Sequence, residues 1–158
     1  MHEGQRLSSL SRAIRLSSLN RLRQVPEGLE NWRPTPEAMS FADLAHHLIV
    51  ADRWLFQKLR VPDLTPMAGE AGEAGQVDRA SYLQLLEELE RLGDERTELL
   101  SKLTDGELEQ IIPDDRFDGM VSVWWVIVRG NLDHETHHRG QMAAYLRVVS
   151  SYGGTNRC

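Results

Sequence analysis

The chain has 158 residues, of which 41% are hydrophobic and 27% charged, with a formal net charge of −6 at pH 7. That balance predicts one soluble globular domain over residues 1–158, large enough to bury its own core, with no run near the roughly 20 apolar residues that cross a bilayer. The acidic balance, without a basic stripe interleaved with aromatics, argues against a nucleic-acid partner, and the lone Cys158 excludes a disulfide framework or a cysteine metal site.

The N-terminal stretch lacks the apolar core of a secretory signal, so a cytoplasmic location is expected. A first amphipathic helix is predicted over about Leu7–Gln24, with Leu7, Leu10, Ile14 and Leu22 near one face. Pro26, Gly28, Pro34 and Pro36 break the pattern. A second helix starts at Ser40, an N-cap with Asp43 three residues on, and carries a stripe of Phe41, Leu44, Leu48, Ala51, Leu55 and Leu59. Pro62 and Pro66 end it, and the Gly-rich stretch Met67–Gln76 reads as a mobile surface loop. A third helix is predicted from about Asp78 to Leu103 on Leu85, Leu89, Leu92, Leu99 and Leu103, with its Glu- and Arg-rich face turned to solvent. The connection Thr104–Met120, with Pro113 and Asp118-Gly119, has the turn signals of a short hairpin, and Asp114, Asp115 and Asp118 read as loop charges. A fourth helix runs from about Ser122 to Val149, closed by Gly153-Gly154. Four long helices joined by links of this size give an all-α four-helix bundle with crossover connections, the long links after helices two and three leaving room for them.

The fourth helix carries the most informative string, His134-Glu135-Thr136-His137-His138-Arg139-Gly140-Gln141. At about 100° per residue, His134 and His138 share a face about 40° apart, amid Ile127, Met142, Tyr145 and Val149, whereas His137 lies about 60° to the other side, toward Asp133, Gly140 and Arg147. On the second helix, His47 borders the apolar stripe and Trp54 lies within about 20° of it, while His46 should face water. Five of the six histidines thus fall in two clusters, each with an inward member. Three neutral imidazoles with a position left for water describe an open metal site. The string also matches the HExxH pattern, with Glu135 as general base. No Asp, Glu or His follows His138 to supply the further ligand that metalloproteases of that kind take downstream. Trp32, Trp54, Trp124, Trp125 and Tyr145 are candidates to line a pocket, Trp54 the best placed. Arg139 and Gln141 flank the ligand face, and Asp52 is positioned to pair with Arg139 across the helices.

HETHHRGQ on the fourth helix, with AHHLIVADRW on the second, resembles the DinB/YfiT-like family, four-helix bundles of about this length taken to contain metal-dependent enzymes. The resemblance covers nearly the whole chain. It implies His47, His134 and His138 as the metal ligands, in agreement with the helical angles, and a homodimer. Zinc or nickel is the expected metal, with iron a further candidate, because imidazole does not discriminate among them. Characterised relatives include bacillithiol- or mycothiol-dependent S-transferases and a mycothiol-dependent isomerase. The resemblance therefore implies a small-molecule substrate, with the metal depressing the pKa of a low-molecular-weight thiol. The leading function is a metal-dependent thiol S-transferase. The alternatives are a non-catalytic metal-binding or stress-response protein and a metal-activated hydrolase, and Glu135 and Arg139 are the catalytic candidates.

Overall fold

The computed structural model describes residues 1–65 and 69–154. Four long helices form the body: α1 (Glu3–Arg23), α2 (Phe41–Arg60), α3 (Arg79–Lys102) and α6 (Asp133–Gly154). Between α3 and α6 lie a short α4 (Asp105–Glu109), a hairpin of β1 (Ile111–Asp114) and β2 (Gly119–Ser122), and α5 (Val123–Ile127), which runs through a π turn (Val128–Leu132) into α6. Gly153 and Gly154 lie inside the last helix as it is formed, and Cys158 falls outside the described residues. Among the described residues, no helix is long and apolar enough to cross a membrane.

Helix starts follow local chemistry. Ser40 Oγ accepts from the Asp43 N–H at 3.0 Å while the Asp43 carboxylate accepts from the Ser40 N–H at 2.9 Å, a reciprocal cap. Asp78 and Ser122 cap α3 and α5 through Ser81 N–H and Trp125 N–H. The connection after α3 is the expected hairpin, antiparallel with Ile112 opposite Val121 and Pro113 opposite Met120. Asp118 adopts φ 59° in its turn, a left-handed conformation that Asp tolerates.

The bundle order differs from the one expected. α1 packs chiefly on α3 and α6, and α2 on α3 and α6, so the consecutive helices α1 and α2 lie on a diagonal. The crossing connections are therefore the ones after α1 and after α3, whereas α2 and α3 are neighbours. Two apolar clusters fill the interior. One joins Leu19, Leu22, Phe41, Leu44, Tyr82, Leu89 and Met142; the other joins Leu7, Trp54, Leu55, Leu100, Ile112 and Ile127.

The Gly-rich segment after α2 is tied down, in contrast to the mobile loop expected there. Gly72 and Ala74 N–H groups donate to the two Asp43 oxygens at 2.8 and 2.9 Å, so the carboxylate that caps α2 also holds this segment. Met67 and Ala68 lie outside the described residues.

Candidate metal centre

α2 and α6 bring His47, His134 and His138 together. Each offers a ring nitrogen, all lying within 4.8 Å of one another, a group that could hold a metal ion. His134 Nε2 is 2.9 Å from His47 Nε2 and 3.0 Å from His138 Nε2. The rings stand edge to face, with centroids 4.5 to 4.8 Å apart. His47 and His138 are buried and His134 is half-buried.

Burial sets the protonation state. It pushes His134 down to about 3, with help from His138, His47 and Arg116. Burial likewise lowers His138 to about 4 against a partial opposing effect of Gln141. His47 is also lowered, by burial and by His46. All three are neutral near pH 7, as metal ligation requires. The tautomer of His138 follows from Gln141, whose amide Oε1 meets Nδ1. An amide oxygen only accepts, so Nδ1 carries the hydrogen and Nε2 presents a bare lone pair.

Three neutral rings cannot satisfy this arrangement alone. His134 Nε2 either carries a hydrogen, which makes a two-centre bond to one neighbour, or carries a lone pair, which faces that of His138 at 3.0 Å. One of the two close contacts is therefore unbonded in any neutral state. A shared divalent ion removes the conflict: nitrogens about 2.0–2.1 Å from one ion sit about 2.8–3.4 Å apart at octahedral to tetrahedral angles. The residues fit the ion.

His137 is exposed on the outer face, as its angle implies. His46 departs from expectation: it is half-buried, and its Nδ1 is enclosed with no hydrogen-bond partner among the described residues. Gly69 lies against the His47 ring so closely that a Cβ there would come within 2.3 Å of Nδ1. That position takes only glycine unless the imidazole shifts.

Beside His47 and His134 is a cavity of about 110 Å³, completed by Ala51, Trp54, Arg116 and Gly130. Trp54 lines it, while Trp124 is distant from it, donating to Glu3 Oε1 at 3.1 Å. Arg116 was invisible in the sequence. It comes from the hairpin turn, lies over the Trp54 ring at 4.4 Å, and is gripped by Asp114 through Nε and Nη2. Its Nη1 donates to the Gly130 carbonyl at 3.0 Å, inside the π turn, and a Cβ on Gly130 would strike Nη2 at 2.5 Å. Asp114 is thus no loop charge. Burial would raise its carboxyl, but Arg116 outweighs that and holds it low. Such π turns widen a helix locally and expose carbonyls to other donors; the only hint in the sequence is a glycine within a helical pattern.

The catalytic candidates fare differently. Glu135 is 1% exposed and turned away from the histidines into a charged layer. Arg15 Nε and Nη2 donate to Glu135 Oε1 at 3.0 and 2.6 Å, Arg96 Nη1 donates to the same oxygen at 3.1 Å, and Ser18 Oγ to Oε2 at 3.3 Å. Burial would raise the Glu135 carboxyl, yet Arg96 and Arg15 hold it well below the usual carboxylate range. A carboxylate so committed is no free base. Asp52, expected to pair with Arg139, joins the same layer through Arg15 Nη2 at 2.7 Å and Arg96 Nη1 at 3.0 Å. Arg139 is half-buried and has no hydrogen bond or ion pair among the described residues.

Comparison with known proteins agrees with this architecture. A family model described as the DinB superfamily matches residues 12–142. Among solved structures, the chain is similar to a DinB-like protein, YjoA, from Bacillus subtilis. The two are 16% identical, with 92% of each chain covered and a TM-score of 0.68. At that identity the likeness speaks for the fold. No curated protein matches the chain. With most of its length matched by the family model, the chain belongs to the DinB superfamily.

Proposed function

We propose that the protein binds one divalent metal ion through His47, His134 and His138 and uses it to activate a small molecule, most concretely a low-molecular-weight thiol in an S-transfer reaction. The observation that carries this reading is the pair of close Nε2 contacts sharing His134, which three neutral imidazoles cannot both turn into hydrogen bonds. A bound ion would supply a Lewis acid that lowers the pKa of a thiol at neutral pH. The chain's own contribution is orientation and exclusion of water. Gln141 fixes the His138 ring so that its lone pair faces inward, and Gly69 backbone covers the His47 ring. The cavity leaves a side of the cluster open to a ligand, which favours an enzyme over a closed storage or stress-response site.

A hydrolase using Glu135 as base has no support in this geometry, since that carboxylate is occupied by two guanidiniums. The choice among zinc, nickel and iron follows from metal analysis of protein purified without a histidine tag. One equivalent of metal per chain, followed by calorimetric binding of a small thiol to the loaded protein, is the expected result. Metal without thiol binding would favour the non-catalytic reading, and no metal would sink both. The homodimer implied by the resemblance is checked separately by light scattering.

A further inference from the structure

Among the described residues, the lining of the cavity beside the histidines contains one charged side chain, Arg116, and no carboxylate. With three neutral imidazoles and a divalent ion, the site would hold an uncompensated positive charge. Of the two carboxylates that flank His134 in the chain, Glu135 is spent on Arg15 and Arg96, and Asp133 pairs with Arg129 at 2.7 Å.

Arg116 is held as a receptor would be. A guanidinium has five N–H donors in a planar fork. Nε and Nη2 donate to Asp114, and Nη1 donates to the Gly130 carbonyl. Among the described residues, that leaves one N–H on each of Nη1 and Nη2 without an acceptor. Stacking on Trp54 and the two-point grip of Asp114 fix the plane, so little entropy is lost when a ligand engages it. A planar two-oxygen group is what such a fork fits best. The cavity volume of about 110 Å³ is the share of about four water molecules, room for a carboxylate on a short arm.

We infer that this cavity is the receptor for a carboxylate carried by the small ligand, gripped by the free N–H groups of Arg116 while the ligand's other end meets the metal. The inference rests on the proposed metal site and narrows its substrate class to carboxylate-bearing molecules. Arg116 is a specificity residue here, and Asp114, Trp54 and Gly130 position it.

The test uses protein loaded with Co(II), titrated with mercaptoacetate and with 2-mercaptoethanol, and reads the thiolate-to-cobalt absorption band. In wild type, mercaptoacetate should bind at least about tenfold more tightly, the worth of a charge-assisted hydrogen bond. Arg116→Gln should collapse that preference severalfold. Gly130→Ala, which keeps the charge but drives the guanidinium aside, should reduce it as well, so the outcome does not hang on one variant's folding. A preference near one in wild type, or one undiminished in both variants, would overturn the inference while leaving the metal site standing. Failure to take up cobalt at all would overturn both.

Discussion

His134 and Glu135 are adjacent in the chain, yet they belong to two buried polar regions of opposite character. On one side of α6, three like groups face each other in contacts that neutral rings cannot all turn into hydrogen bonds. On the other, Arg15, Asp52, Arg96 and Glu135 meet, one from each long helix, two positive and two negative. Asn131 and Ser11 complete that layer: Asn131 Nδ2 donates to Asp52 Oδ1 at 3.3 Å and Arg96 Nε donates to Ser11 Oγ at 2.7 Å. A matched layer has no capacity left for a ligand. It ties four helices in one register at a large desolvation cost, a role for which buried ionic groups are sometimes retained. A mismatched cluster has capacity left over. The difference separates architecture from chemistry more sharply than burial does, because both regions are buried.

The largest effect should come from breaking the matched layer. Glu135→Ala leaves two buried guanidiniums sharing one carboxylate and should cost about 3–5 kcal/mol, a large fraction of a domain's stability, measured by urea unfolding. If it left stability unchanged and removed only activity, Glu135 would be a catalytic group after all.

Breaking the mismatched cluster should do the reverse. His138→Ala should abolish stoichiometric metal binding with the fold intact, whereas His137→Ala, on the exposed face, should weaken it far less. A chelator should lower the melting temperature of wild type and leave His138→Ala nearly unmoved, because a metal bound only by the folded chain stabilises it by mass action. Equal loss of metal in the two variants would count against the site.

The same cluster carries a pH signature. His134 and His138 are depressed to about 3 and about 4 in the folded chain, while unfolded histidines titrate near about 6.5. The unfolded state therefore takes up protons first as pH falls. The stability from neutral histidines is complete above about pH 6.5 and drains away below it toward the folded values, with metal released in the same window. A metal-free melting temperature that is flat from pH 7 to 5 would show that these rings are not held neutral. The smallest effect belongs to the surface. Arg91 and Arg53 hold Glu88 down at about 2, but such pairs are worth little, and Glu88→Gln should change stability by no more than about 0.5 kcal/mol.

The two regions were unequally legible in the sequence. The histidines lie four residues apart on one helix, with one more at the border of a clear apolar stripe, so helical angles alone single them out. The charged layer was misread because hydrophobic patterning sends charge outward. Arg96, which patterning by hydrophobicity alone does not count toward the core of α3, is fully buried, while Leu10, on the expected apolar face of α1, is 46% exposed. A signal was nonetheless present. Arg15, Arg96 and Glu135 each stand seven residues from a fully buried side chain, Leu22, Leu89 and Met142, which places them within about 20° of the core direction. Their partners are 37 to 120 residues away in the chain, and only the fold shows that the charges cancel. Arg116 had no comparable signal, since a hairpin turn does not announce what it leans on.

The π turn at Val128–Leu132 has a consequence for how this stretch tolerates change. It sets the rotational phase between two halves of one continuous rod, with Val126 and Ile127 in one apolar cluster upstream and His134 and His138 facing His47 downstream. Removing a single residue there would let the wide turn close into ordinary α-helix and swing everything upstream by about 100°, carrying Ile127 out of the interior. Point substitutions along the segment would be absorbed or not according to their side chains. A one-residue deletion or insertion would be judged by phase alone, so this turn should be less forgiving of length variation than the loops around it.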